Sequence, residues 1–275
     1  MAIKDILTVV DLAGSQKAAR VALDLAGRTN AHVTGLSIAF EPVVPGFIAA
    51  PMPADYIEIA RDSALKAAAE AGRKFTDMAR KAGVNSEVRT AEMITGGTAE
   101  PVITHCRFTD LVVIGQDNPD EPEPMREMLI EAVLFESGVP VLVVPYINGG
   151  MKLKNAMVAW DGSPTASRAV HAALPILAMA DKVTVMLVET GKVRYGEPGA
   201  DIATYLARHG LNVTIDVVPR PTSGIADAIL NYVSDHGVDM VAMGGYGHSR
   251  MREFLFGGAT REILASMTVP ILMAH

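Results

Sequence analysis

Short apolar runs alternate along the chain with longer segments in which apolar residues recur at helical spacing. The first half contains five such runs, which predict strands at 6–10, 32–39, 84–90, 111–115 and 139–144. The segments between them predict helices, the longest over residues 54–81. Because the runs are apolar and β-branched throughout rather than alternating, they are typical of parallel strands covered on both faces. The pattern predicts an α/β fold with helices on both faces of a parallel sheet.

The same pattern starts again in the second half of the chain. The run Asp239–Gly244 repeats Asp110–Gly115, and both halves end in a Val-Pro-apolar strand. The second copy is shorter by about 20 residues, because the first has a Pro-containing loop and a longer helix after its second strand. We therefore predict two tandem five-stranded domains, residues 1–147 and 153–275, joined by a turn-rich linker.

Composition narrows the classes of function. The chain has 275 residues, 49% of them hydrophobic, and a formal net charge of −7. It can bury a sizeable core, but it lacks the basic balance that is typical of general nucleic-acid binders. We expect a soluble cytoplasmic protein, because no apolar run reaches membrane-spanning length and no secretory signal opens the sequence. The single cysteine, Cys106, excludes an internal disulfide and a cysteine-cluster metal site, and we expect it to be buried.

A glycine-rich segment follows the fourth strand of the second copy. Residues 244–258 have glycines near both ends and His248, Arg250 and Arg252 between them. Glycines let backbone N–H groups approach an anion, and the following helix directs its N-terminal dipole there, as in phosphate-binding loops. A surface turn with solvated arginines has the same local composition. In the first copy, residues 116–124 contain four carboxylates and three prolines, which repel phosphate and remove N–H donors.

Together these features resemble the universal stress protein family. Each copy has a first strand that ends in an aspartate, Asp11 or Asp161, and the second copy contains the spaced glycines Gly244, Gly247 and Gly257. The resemblance covers essentially the whole chain as two domains. It implies five-stranded parallel sheets of the adenine nucleotide alpha hydrolase-like kind. For many members it also implies ATP bound at the carboxyl ends of the strands, where open α/β sheets generally bind ligands.

Carried over residue by residue, the resemblance implies a nucleotide site in the second copy. Its residues are Ala159, Asp161, Val188, Met243, Gly244, Gly247, His248, Arg250, Gly257, Gly258, Ala259 and Thr260. Asp161 matches an acid near the ribose, and Val188 matches a strand end that contacts adenine. Met243 and Gly244 match backbone that passes the base and sugar. The later glycines match the phosphate turns, and Thr260 matches a hydroxyl beside the phosphates.

Two positions depart from the family pattern. Gly258 stands where the family has serine or threonine, and Tyr246 stands where histidine is frequent. The choice among ATP, ADP, AMP and no nucleotide therefore stays open. Asp161 is also suited to capping the helix that follows it, and Arg250 to being a solvated surface charge.

The resemblance implies a stress-response protein that binds ATP or a related adenine nucleotide, with Mg²⁺ as an optional companion, and that regulates rather than catalyses. The alternatives are a nucleotide-free interaction module and a slow adenine-nucleotide hydrolase. We assign no catalytic or metal-binding residue, because none is placed by spacing as a base for water. We expect no nucleic-acid or membrane partner, and leave a homodimer of tandem chains and a protein partner open. The copies should form an intramolecular pseudo-dimer in which their fifth strands, at 139–144 and 271–273, pair.

Overall fold

The computed structural model describes residues 2–14, 16–41, 55–147, 150–189, 197–246 and 258–275. Two compact units are present: Ile3–Val139 forms one, and Pro140–His275, with the first residues of the chain, forms the other. In each unit helices alternate with strands, and the predicted α/β fold with helices on both faces of the sheet is confirmed.

The first unit is built on parallel strands. Its described elements are β1 (Asp5–Val9), α1 (Lys17–Thr29), β2 (His32–Glu41), α2 (Asp55–Ala82), β3 (Ser86–Ile94), α3 (Glu100–Cys106), β4 (Leu111–Gly115) and α4 (Arg126–Glu136). The strand order is β3-β2-β1-β4, with every pair parallel. The carboxyl ends of these strands therefore lie at one edge of the sheet.

Helix α2 covers β2 and β3 through one narrow apolar stripe. Its fully buried residues, Ala68, Ala71, Phe75 and Ala79, recur at the three- and four-residue spacing of a helix face. The Phe75 ring lies directly on Gly35, where an added Cβ would be 2.5 Å from the Phe75 Cδ1 atom. Although α2 is 28 residues long, neither it nor any other described helix is long and apolar enough to cross a membrane.

The second unit repeats this arrangement. Its described elements are β5 (Val141–Val144), β6 (Asn155–Ala159), α5 (Pro164–Leu177), β7 (Lys182–Val188), α6 (Ala200–Arg208), β8 (Val213–Val218), α7 (Ile225–His236), β9 (Met240–Gly244), α8 (Ala259–Ser266) and β10 (Ile271–Ala274). The order is β5-β10-β9-β6-β7-β8, and all pairs except β5–β10 are parallel. Helix α6 has nine residues where α2 has 28, which agrees with the shortening expected from the sequence.

The repeat extends to individual hydrogen bonds. The Asp110 Oδ2 atom accepts from the N–H groups of two consecutive residues that lead into and begin β1, at 2.7 and 3.1 Å. The Asp239 Oδ2 atom makes the same two contacts where β6 begins, both at 3.0 Å. Each aspartate thus fixes the amino end of the first strand of its copy against the fourth, so both copies use the same sheet geometry.

Strand β5, the last strand of the first copy, lies in the second unit because it pairs with β10. The pairing is antiparallel, with Val143 opposite Ile271 and Leu142 opposite Leu272, and all four β5 residues are buried. The predicted adjacency of the two fifth strands is confirmed. This pairing also explains why the units divide before β5, whereas the domains predicted from the sequence divide after it.

Candidate functional site

The carboxyl edge of the second unit has the strand order at which open α/β sheets bind ligands. Strand β6 lies between β7 and β9, with Ala159 opposite Met186 on one side and Met243 on the other. From β6 the chain runs outward through β7 and β8, then returns to the opposite side for β9 and β10. Ligands of open α/β sheets bind at such a reversal, outside the carboxyl ends of the strands.

Several residues implied by the resemblance meet at this edge. Ala159 ends β6 and Val188 ends β7; both are half-buried, and Asp161, two residues after β6, is exposed. Met243, near the end of β9, is buried. The predicted residues Gly247, His248, Arg250 and Gly257 lie outside the described residues.

Gly244, the last residue of β9, touches the start of helix α5. A Cβ atom added there would lie 2.6 Å from the Ala166 backbone nitrogen, 2.7 Å from the Thr165 Oγ1 atom and 2.8 Å from the Thr165 carbonyl carbon. Two of these atoms belong to the backbone, so a side chain at this position would have to displace the helix. Because Gly244 has no side chain, the N-terminus of α5 can lie directly against the end of β9.

Asp161 and Ser163 together organise the turn between β6 and α5. The Asp161 Oδ1 atom accepts from the Ser163 N–H at 2.8 Å, and the Ser163 Oγ atom accepts from the Ala166 N–H at 3.1 Å. Ser163 is therefore the side chain that caps α5. The sequence also made Asp161 a candidate cap. Its carboxylate instead bonds the Ser163 N–H, and so it fixes the turn that precedes the helix.

Two residues on either side of the segment 247–257 are joined by a buried hydrogen bond. The Tyr246 N–H donates to the Thr260 Oγ1 atom at 3.1 Å, and both residues are buried. Thr260 lies in the first turn of α8, so the bond holds this turn near the end of β9. The N-cap of α8 is Gly258, and no side-chain hydrogen bond caps the helix in the described residues.

The backbone just beyond β9 is held by the end of β10. The Gly245 N–H donates to the Ala274 carbonyl oxygen at 3.0 Å, and the His275 Nδ1 atom lies 3.2 Å from the Gly245 carbonyl oxygen. Tyr246 follows with a φ of 49°, in the left-handed region that is unusual for a tyrosine. The sequence analysis missed these contacts, although the glycine at position 245 and the histidine after the Val-Pro strand were visible in the sequence.

The equivalent edge of the first unit is filled by its own side chains. The Arg126 Nη2 atom lies 2.7 Å from the Asp11 Oδ1 atom, and the Arg126 side chain is 3% exposed. Glu123 lies alongside, and its Oε1 atom accepts from the Ala13 N–H at 2.9 Å. Burial raises the pKa of the Asp11 carboxyl and the charge of Arg126 opposes this rise, while Glu123 adds to it. This cluster was not predicted from the sequence: Arg126 lies two residues after the acidic stretch 116–124, but its partner Asp11 is 115 positions away.

The other candidate reactive groups are the metal-ligating side chains and the single cysteine. In the parts of the chain that the structure describes, no group of three or more histidine, cysteine or acidic side chains could hold a metal ion. Cys106 is buried, as expected, and burial raises the pKa of its thiol to about 12. At neutral pH this thiol is therefore protonated, which suits a packing residue rather than a nucleophile.

Comparison with known proteins agrees with the fold. Residues 222–275 match the universal stress protein family. The universal stress protein Slr1230 of Synechocystis sp. (strain ATCC 27184 / PCC 6803 / Kazusa) is 24% identical over 147 residues, or 52% of this chain and 49% of that protein. The chain thus spans about half the length of this curated relative.

Solved structures match over almost the full chain. A universal stress protein from Archaeoglobus fulgidus DSM 4304 is similar with a TM-score of 0.71 and 17% identity, covering 98% of this chain and 95% of that one. A functionally unknown protein from Pseudomonas aeruginosa PAO1 has a TM-score of 0.61 and 17% identity, covering 99% and 92%. At these identities the structures establish the fold alone. The expected resemblance is confirmed: the chain matches the universal stress protein family at its carboxyl-terminal end and has the fold of a solved universal stress protein over nearly its whole length.

Proposed function

We propose that the second copy binds ATP or a related adenine nucleotide at the carboxyl ends of β6, β7 and β9, and that binding regulates a stress response. The observation that carries this proposal is the start of α8. Its N-cap, Gly258, has no side chain that could bond the first-turn N–H groups, and Thr260 ties this turn to the end of β9. Uncapped N–H groups at a helix N-terminus are suited to binding phosphate.

The neighbouring residues suit the other parts of a nucleotide. Asp161 is exposed at the end of β6 and offers a carboxylate to ribose hydroxyl groups. Val188 is apolar and half-buried at the end of β7, which suits the face of an adenine ring. Met243 and Gly244 would pass their backbone beside the sugar, and Gly244, which has no side chain, lets the start of α5 approach the same edge. Ala159 ends β6, which lies between β7 and β9, and its small side chain would leave room for a ligand.

The residues outside the described parts of the chain keep the roles that the resemblance implies. Gly247 and Gly257 would form phosphate turns together with Gly258, and Arg250 would neutralise phosphate charge. His248 belongs to the same proposed site, and we assign it no specific role. Mg²⁺ would arrive bound to the phosphates of ATP, and we assign no residue of the chain to it.

We propose one site per chain, because the corresponding edge of the first copy is occupied. Arg126 and Glu123 fill it, and Asp117 and Glu121 add negative charge to the same loop. A phosphate there would meet carboxylates, which is unfavourable by about 1 kcal/mol per pair even in water.

Calorimetric titration with ATP tests the proposal. We expect one site per chain, and Asp161→Ala should weaken binding roughly tenfold or more by removing a charged hydrogen-bond acceptor. The matched change in the first copy, Asp11→Ala, should leave the affinity unchanged. Two equal sites, or equal effects of the two changes, would contradict the proposed asymmetry. If ATP, ADP and AMP all fail to bind and none copurifies, the nucleotide-free interaction module is the better interpretation.

A further inference from the structure

The first copy contains an arginine at the position where the second copy would hold its ligand. The two copies align with an offset of 150 residues in their first strands, so Val9 and Ile38 correspond to Ala159 and Val188. Both Val9 and Ile38 line a small space at the carboxyl ends of β1 and β2, and Arg126 lines the same space. Arg126 therefore occupies the counterpart of the proposed nucleotide site.

Helix α4 reaches this place because it begins about one turn earlier than its counterpart. It starts at Arg126, 14 residues before Pro140, whereas α8 starts at Ala259, 11 residues before Pro270. A cation in the first turn is disfavoured by the helix dipole. The contact with Asp11 compensates for this, since the two groups lie 2.7 Å apart and are largely shielded from water.

The guanidinium group of Arg126 is only partly bonded. Its Nη2 atom reaches Asp11 at 2.7 Å and Glu123 at 3.8 Å. Its buried Nε and Nη1 atoms have no hydrogen-bond partner among the described residues, and neither does the buried Oε1 atom of Gln16. Buried donors without partners disfavour the closed arrangement, so this contact is weaker than that of a fully bonded arginine.

We propose that Arg126 is a built-in occupant of the first copy: its ion pair with Asp11 closes the crevice at the carboxyl ends of β1 and β2 and excludes ligands from it. Counted back from the Val-Pro strand, the residue of the second copy that corresponds to Arg126 in sequence is Phe256, which carries no charge. The two copies thus have the same strand framework, but the first places an arginine at this position and the second a phenylalanine.

Thiol labelling tests the closure without using any nucleotide, so it can fail independently of the proposed function. In a Cys106→Ala background, Val9→Cys places a thiol on the wall of the first crevice, and Ala159→Cys places a matched thiol in the second. We expect the Val9→Cys probe to react slowly with N-ethylmaleimide. Adding Arg126→Ala should raise this rate roughly tenfold or more, since it removes a buried ion pair. The rate of the Ala159→Cys probe should not change.

A second variant covers the case in which Arg126→Ala fails to fold, as judged by circular dichroism. Asp11→Asn keeps the size of its side chain but removes its charge, and it should accelerate labelling of the Val9→Cys probe in the same direction by a smaller factor. The proposal is overturned if the folded variants leave this rate unchanged. It is also overturned if both probes accelerate together, because the arginine would then support the fold as a whole.

Discussion

Replacing Gly244 by alanine tests whether the close contact between β9 and α5 is needed to position the start of α5 at the candidate site. The new Cβ atom would lie 2.6–2.8 Å from three atoms of Thr165 and Ala166. Overpacking of this kind costs about 1–3 kcal/mol, and a shift of α5 would also weaken the Ser163 cap, worth about 1 kcal/mol. We expect Gly244→Ala to lower the free energy of unfolding by about 2–4 kcal/mol.

The first copy provides a matched control at Gly115. There the added Cβ atom would lie 3.5 Å from the Asp11 Oδ1 atom and 4.0 Å from the Ala18 Cβ atom, which are ordinary contacts. Neither Gly115 nor Gly244 has a positive φ, so the two changes differ only in the space available. Gly115→Ala should therefore change stability by less than about 1 kcal/mol, and the lost freedom of the unfolded chain favours a slight gain.

Urea unfolding, followed by circular dichroism, measures both variants. Because the chain has two compact units, hydrogen exchange of the α5 amides should accompany it, so that the destabilised unit is identified. Titration with ATP then asks whether displacement of α5 also weakens binding. If Gly244→Ala lowers the free energy of unfolding no more than Gly115→Ala does, the close approach of α5 to β9 does not require a glycine at position 244.

Two further predictions concern single side chains. Thr260→Val should lower the unfolding free energy by about 1–3 kcal/mol by removing the hydroxyl that accepts from the buried Tyr246 N–H, and Thr260→Ser should restore it; chemical unfolding compares them. Val143→Lys should cost more than about 3 kcal/mol by burying an unpaired charge and should cause association in light scattering, whereas Val217→Lys, on the exposed edge strand β8, should do neither.

Much of the fold could be predicted because it is encoded in local patterns that occur twice. The continuous apolar runs identify the buried parallel strands, and the repeated Val-Pro strand identifies the pair that meets at β5 and β10. The boundaries were less accurate at the sheet edge. Strand β3 was expected at 84–90 but extends from Ser86 to Ile94, because it pairs with β2 as far as Glu41. Most of the strand is exposed, and only Ala91 and Met93 near this end are buried, so the apolar pattern there is too short to mark the boundary.

The candidate site was predictable only where the chemistry lies in the backbone. Gly244 was identified from glycine spacing, and its contact with α5 supplies a physical reason for that glycine. The ion pair of Arg126 with Asp11 joins residues 115 positions apart, and nothing in the local sequence of either reports the other. The same holds for the bond between Tyr246 and Thr260, in which a side chain fixes a backbone group 14 positions away.

The antiparallel pairing of β5 with β10 has a consequence for synthesis of the chain. Strand β5 leaves the ribosome early, but its partner is made roughly 130 residues later, a delay on the order of 10 s at usual rates of translation. During that time one edge of an entirely apolar strand, Val141–Val144, has no partner from its own chain. Such an edge can recruit strands from other nascent chains. Slowed translation of the second copy should therefore increase aggregation during synthesis, even though the finished chain satisfies this edge internally.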